Sequence, residues 1–300
     1  YLYDRGLTES GKRVKNIFSL ITYLEQLGIN EFSIEKDVAL LYSRASEDWW
    51  QLKHKAIANK AVEAHLTQNA VMEVLFKESI PFELYYLDQP SLLKNLDDYK
   101  LVILPFPYSI SHESHALINK LVSKGKKVLA INANGEVDEV GNMHSTPLLN
   151  DTDYIHVDIP FVNTNYSNVS SKLLPVIRTA LHGKGGLTVN DQGHDLECTI
   201  HRHGYRDEKL LYCVNWEGNK HSALFNVAVS GGYYTIDKIT PEYVVPIVSD
   251  SGKEFSSDDM SQLQLEILPW ETFIFHIRKV NKKKTYNIIN NHEEYARHIH

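Results

Sequence analysis

The stretch "KKVLAINANGEVDE" (residues 126–139) sets the fold. Its apolar run, 128–131, has the length and composition of a strand buried on both faces, and it breaks into a polar loop, 132–136. In an open parallel sheet, that junction is where ligand-binding and catalytic groups collect. Here it offers Asn132, Asn134 and Gly135, and neither the serine nor the cysteine that a nucleophile elbow requires.

Working outward, "DVALLYS" (37–43), "FELYYLD" (82–88), "YKLVILPFP" (99–107) and "DYIHVD" (153–158) read as further strands. Helical spacing separates them. Residues 61–79 place Leu66, Ala70, Val74 and Leu75 on one side. Residues 111–125 run from an N-cap at Ser111 to a C-cap at Gly125, and residues 170–183 form a helix interrupted by Pro175. Strands alternating with helices predict a doubly wound α/β domain with right-handed crossovers. Ahead of it, residues 9–27 predict an amphipathic helix, with Val14, Ile17, Phe18, Ile21 and Leu24 as its buried stripe and Gly28 as its C-cap. After "GKGG" (183–186) the pattern changes to short alternating runs punctuated by "EGN", "SGG" and "SDSG". That pattern predicts a small antiparallel β-sandwich over 187–279, followed by a polar tail, 280–300.

Composition narrows the function classes. The 300 residues carry a formal charge of −7, which argues against nucleic acid as a partner, since phosphate binding needs a basic face. No apolar run is long enough for a membrane span. The opening "YLYDRGLTESGKRVKN" lacks the apolar core of a signal peptide and reads as the interior of a longer chain. The expected setting is cytoplasmic. Cys198 and Cys213 are too few for a disulfide framework and read as buried strand thiols. His201 and His203 share a strand face but have no third ligand nearby in sequence, so no metal site is expected.

The familiar catalytic patterns are missing. No glycine follows 37–43 to cradle a phosphate, so no nucleotide or other cofactor is expected. A triad of Ser109, His112 and a distant aspartate is disfavoured, because Ser111 and Glu113 suit the start of a helix better. Glu136, Asp138 and Glu139 read as a solvated acidic loop rather than a catalytic carboxylate pair. No catalytic residue is assigned. Trp49 and Trp50, in "SEDWW", stand out instead. Adjacent side chains diverge on a helix or a strand, so one ring is expected to leave the local core for a subunit contact or a sugar face.

Taken together, "DVALLYSRASEDWW", "VMEVLFKESIPFELYYLD" and "LDDYKLVILPFPYSISHESHALINKLVSKGKKVLAINANGEVDEVGN" resemble the trimerisation domain of family 42 glycoside hydrolases, the β-galactosidases. The resemblance spans about 36–142 in order and spacing, with a Trp-bearing loop, the "YKLVILP" strand, Gly135 and the "VDE" of 137–139. It implies a flavodoxin-like sheet, similar to class I glutamine amidotransferases but without their cysteine, used for assembly. It also implies a division into a remnant of a preceding catalytic barrel (1–35), the amidotransferase-like domain (36–186), a closing β domain (187–279) and a tail (280–300). The partners implied are a homo-oligomer, a trimer in the family, the catalytic barrel and a carbohydrate substrate. The loop "NANG" departs from the family's usual sequence, which bears on the substrate. Two other readings stand beside this one. One is a free-standing amidotransferase-like hydrolase. The other is a sugar-binding module using Trp49, Trp50 or Trp216.

Overall fold

The computed structural model describes residues 2–3, 6–149, 153–159, 166–181, 186–191, 196–248, 252, 254–280 and 297–298. The chain divides into two compact units, Lys36–Gly185 and Tyr1–Glu35 together with Gly186–His300. In chain order, β1 (Leu2–Tyr3), β2 (Gly6–Leu7), α1 (Glu9–Gln26) and β3 (Phe32–Ile34) come first. The middle unit contains β4 (Val38–Tyr42), α2 (Arg44–Lys53), α3 (Ala58–Ala61), α4 (Glu63–Lys77), β5 (Phe82–Tyr86) and a 3-10 segment, Pro90–Asp98. It continues with β6 (Leu101–Pro105), α5 (His112–Ser123), β7 (Lys127–Ile131), β8 (Ile155–Val157) and α6 (Tyr166–Leu181). The last stretch holds β9 (Leu187–Asn190), β10 (Leu196–His203), β11 (Glu208–Asn215), β12 (His221–Val227), β13 (Tyr233–Ile239) and β14 (Tyr243–Pro246). It ends with β15 (Phe255–Ser256), α7 (Ser257–Met260), β16 (Leu263–Ile267), β17 (Thr272–Val280) and β18 (Arg297–His298).

The middle unit is a five-stranded parallel sheet in the order β5-β4-β6-β7-β8. Its central strands are apolar throughout because both faces are covered. Val38, Leu40, Leu101, Ile103, Leu129 and Ile131 point to one side and pack on α4 and α6. Ala39, Leu41, Val102, Leu104, Val128 and Ala130 point to the other, onto α5 and the 3-10 segment. Ser111 caps α5 by accepting from the Ser114 N–H at 3.0 Å. Pro175 is accommodated inside α6. On α4 the buried face includes Ala64, Gln68, Val71, Val74 and Leu75. Leu66, expected in that stripe, is 36% exposed, because the face that meets the sheet is rotated toward Gln68 and Val71.

The other unit pairs an eight-stranded antiparallel sheet with a three-stranded one, β16-β12-β9. Alternate residues of both sheets meet in one core, with Leu196, Ile200, Leu211 and Phe275 from the larger and Val189, Phe225 and Leu263 from the smaller. The amino-terminal segment belongs here. β3 pairs with β10, and Leu24 of α1 packs with Leu210, Ile239 and Ile274. The expected buried stripe of α1 is corrected by this packing. Leu24 is buried, but Val14, Ile17, Phe18 and Ile21 are 42%, 50%, 65% and 45% exposed. The packed face is instead formed around Leu20, Tyr23, Leu24 and Leu27. Most of the tail expected at 280–300 lies outside the described residues, and β18 pairs with β14. No helix among the described residues is long and apolar enough to cross a membrane.

Candidate functional site

The carboxyl edge of the parallel sheet collects the residues that the sequence singled out. β4 ends at Tyr42 and turns directly into α2, so the tryptophans sit on a helix, not on the loop that the resemblance implied. Ser43 is the N-cap, accepting from the Ser46 N–H at 3.0 Å. Asp88, just beyond β5, accepts from the backbone N–H of Arg44 at 2.7 Å and of Ala45 at 3.1 Å, a carboxylate placed where helix N-termini favour one. One turn into the helix, Glu47 is buried and fully engaged. It accepts from Tyr42 Oη at 2.7 Å and Gln68 Nε2 at 3.0 Å, meets His65 Nδ1 at 3.0 Å and pairs with Arg44. Burial, and then the Glu47 carboxylate, push the Tyr42 hydroxyl up to about 12. These bonds fix the base of α2 against β4 and α4.

Fixed in this way, α2 directs its two indoles to different neighbours, as adjacent helical positions require. Trp50 packs edge-on against Phe106 (4.9 Å between ring centres) and Tyr108 (5.0 Å), and its Nε1 donates to the Lys60 carbonyl at 2.7 Å. Trp49 turns to the 137–143 loop, where its Nε1 donates to the Glu139 carbonyl at 3.2 Å. Gly141 lies against that ring. A Cβ there would come within 2.8 Å of three ring carbons, and its φ of +87° independently favours glycine. Both indoles are half-buried, against a small cluster of Ala64, Phe106, Tyr108, Ala133 and Val137. Beside Trp49 opens a cleft of ≈ 310 Å³ lined by Lys53, Leu52, Tyr108 and Met143. Lys53 Nζ donates to Tyr108 Oη at 3.1 Å. Leu52 and Met143, which line it, are more than half exposed, at 55% and 67%. Trp216, the remaining stacking candidate, lies in the other unit and is 56% exposed.

The turn after β7 answers the question posed by its sequence. Asn132 adopts a φ of +61°, the left-handed conformation that a nucleophile turn demands and that asparagine tolerates better than most residues. Its carboxamide is engaged. Nδ2 donates to the Ile159 carbonyl at 3.1 Å and to Thr67 Oγ1 at 3.3 Å, and Oδ1 accepts from the Ile159 N–H at 2.6 Å. The residue at the elbow therefore ties β7 to α4 and to the segment after β8. Phe106, at the end of β6, also has a positive φ, +72°, and is fully buried under Trp50.

The acidic residues of the loop do not converge as a catalytic pair. Glu136 accepts from the Asn134 N–H at 3.3 Å, and burial raises its carboxyl above the usual range. For Asp138, burial works upward, but bonds from the Asn142 side chain and from the Asn142 and Val140 N–H groups hold it below its usual value. Glu139 is exposed. Ser109 and His112 form no triad either. Ser109 Oγ donates to the Asp138 carbonyl at 2.8 Å, and His112 packs edge-on against His144. His203, on the other unit, pairs with Glu31 at 2.7 Å. No group of three or more metal-ligating side chains occurs among the described residues. Sequence reasoning found the tryptophans but missed Lys53, Phe106, Tyr108 and Gly141. The run "PFPY" at 105–108 was the available signal, since two prolines around an aromatic residue mark an irregular strand end.

Comparison with solved structures gives this architecture its context. The chain is similar to a β-galactosidase from Bacillus circulans sp. alkalophilus, at a TM-score of 0.55 and 15% identity, over 85% of this chain and 43% of that one. It is similar to α-L-fucosidase isoenzyme 2 from Paenibacillus thiaminolyticus, at 0.55 and 10%, over 88% and 51%. A β-galactosidase from Rahnella sp. R3 follows at 0.50 and 11%, over 83% and 42%. The chain shares its fold with part of these glycoside hydrolases. Family 42 enzymes are among the similar structures. The chain spans only about half, or less, of each of the three proteins compared. No family model matches the sequence, and no curated protein does.

Proposed function

We propose that this chain is the non-catalytic carboxyl-terminal region of a β-galactosidase-like glycoside hydrolase. In this reading the unit 36–185 is a flavodoxin-like, amidotransferase-like domain used for homo-oligomerisation, as a trimer, and for walling the active site of a neighbouring subunit. The setting is cytoplasmic, and residues 1–35 follow a catalytic barrel. The observation that carries this reading is the elbow. The strand order β5-β4-β6-β7-β8 is the flavodoxin-like order, and its ligand-binding edge holds a strained turn whose side chain is spent on structure. An assembly role accounts for a scaffold of this shape without a nucleophile, and the same observation weighs against a free-standing amidotransferase-like hydrolase. The fold shared with β-galactosidases supports the parent activity.

The test has two parts. Sedimentation of the full chain should show a self-associating species, and the chain alone should leave nitrophenyl galactosides intact. Trp49→Ala should weaken association by about 2 kcal/mol, roughly thirtyfold, without unfolding the chain. Trp50→Ala, which removes the ring under which Phe106 and Tyr108 pack, should instead cost about 3 kcal/mol of stability. A chain that is monomeric at all concentrations, or one in which both substitutions only unfold it, contradicts the proposal. One observation favours a second reading, a carbohydrate-binding module. The Trp49 indole, the Tyr108 phenol and the Lys53 ammonium surround a cleft large enough for a sugar ring. Galactoside binding by a monomeric chain, lost in Trp49→Ala, would select that reading.

A further inference from the structure

The two cysteines are buried strand thiols, as their sequence setting suggested, and the fold brings them together. β10 and β11 are antiparallel neighbours, and their register places Cys198 directly opposite Cys213. Both side chains point inward, to the core between the two sheets, at 5% and 0% exposure. Cys198 Sγ approaches Cys213 Sγ to 2.7 Å, nearer than unbonded sulfurs pack and within about 0.7 Å of a disulfide bond length. Register, side-chain direction and separation all favour a bond between these two atoms.

We propose that Cys198 and Cys213 are a dithiol–disulfide couple that a low-molecular-weight disulfide, such as oxidised glutathione, closes into a cross-strand bond within one chain. The thiolate of one cysteine attacks the small disulfide, forms a mixed disulfide and releases one small thiolate. The thiolate of the other cysteine then attacks the protein sulfur of that mixed disulfide and releases the second small thiolate. The chain loses two thiol protons and two electrons, and the small disulfide is reduced to two thiols. Burial, followed by the neighbouring Cys198, raises the Cys213 thiol well above its usual value. The thiolate is therefore scarce in the folded core, and closure belongs to folding or to transient opening of the strand pair. In a reducing cytosol the couple stays open, and an oxidising setting closes it.

The experiment uses the full chain in two arms. In one it is unfolded and refolded in mixtures of reduced and oxidised glutathione. In the other the native protein is incubated with oxidised glutathione at rising temperature below its unfolding transition. Each sample is then alkylated with N-ethylmaleimide in denaturant without reductant, and its intact mass is measured. The expected product takes up no maleimide, is two hydrogens lighter than the dithiol, and yields peptides containing Cys198 and Cys213 that separate only after reduction. Cys198→Ala, treated identically, lacks the second thiol, so it should form no internal bond and should carry on Cys213 either one maleimide or one unresolved glutathione. Two maleimides per chain in both arms at every glutathione ratio would overturn the proposal. So would glutathione adducts, or inter-chain dimers, in place of the internal bond.

Discussion

Asn132 shows how a single residue can hold a strained turn in place. A left-handed backbone costs an ordinary residue about 1–2 kcal/mol, and asparagine lessens that cost while its carboxamide gains three bonds. The two contributions separate by substitution. Asn132→Gly keeps the backbone freedom and loses only the bracket, so it should cost about 1–2 kcal/mol. Asn132→Ala loses both and should cost about 1 kcal/mol more. Denaturant midpoints that fall equally for the two would show that the conformation itself carries no strain. Glu136, four residues after Asn132, makes a pH-dependent prediction. Burial is the largest cause of its raised carboxyl, with Lys53 acting weakly in the opposite direction. The folded chain thus holds that proton more tightly than the unfolded chain does. The contribution to stability is fully present below the ordinary value of 4.5 and is lost as the pH rises through the raised one. Glu136→Gln should therefore raise the melting temperature at neutral pH, and the gain should vanish below pH 4.5. A gain that is the same at both values would mean that the carboxylate is not penalised by burial.

At the scale of elements, legibility followed the number of covered faces. β4, β6 and β7 are buried on both sides, so their apolar runs could be read directly as central strands, and Ser111 marked the start of α5. β3 was unreadable because an edge strand of three residues, "FSI", has no period to count, and its partner β10 lies far away in sequence. α2 was hidden for another reason. Its sequence, "RASEDWWQLK", is polar apart from Ala45, Trp49, Trp50 and Leu52, and the helix is held by Ser43, Asp88 and Glu47 through polar bonds that only the fold brings together. The candidate site was legible as a tryptophan pair but not as a cleft, since Tyr108 and Met143 reach it from separate loops. α1 gave a misleading pattern. Its most regular apolar stripe is the exposed one, and the packed face is the shorter set at its carboxyl end. Within this chain, Phe18→Ser should therefore change stability by no more than about 0.5 kcal/mol, whereas Leu24→Ala should cost about 2–3 kcal/mol. Thermal unfolding of both variants checks this, and a large loss for Phe18→Ser would mean that the stripe is covered.

On the scale of the whole molecule, the unit 36–185 lies in sequence between two parts of the other unit. β3 and β10 pair through His201↔Ile34, Arg202↔Ser33 and His203↔Phe32, and the Glu35 N–H donates to the Ile200 carbonyl at 2.8 Å. Lys209, largely buried, pairs with Glu35 at 2.6 Å. The Glu35 carboxylate lies against Gly186, where a side chain would collide with it, so the chain leaves the β unit and re-enters it at nearly the same place. This geometry predicts that 36–185 can be removed and its ends joined. A chain of 1–35 linked by a few glycines to 186–300 should fold, with a cooperative transition of its own, because closing so short a gap costs little entropy. Residues 186–300 alone should be far weaker. That fragment loses the cover of Leu20 and Leu24, about 1.5–3 kcal/mol each, and leaves the Lys209 ammonium without its carboxylate, which costs about 3–5 kcal/mol more. Together these losses approach the whole stability of a small domain. Urea unfolding of the two chains decides the matter. Equal midpoints would mean that α1 and β3 are ornaments on a β unit complete without them, while a folded joined chain beside an unfolded 186–300 would establish that the β unit is built from both ends of the sequence.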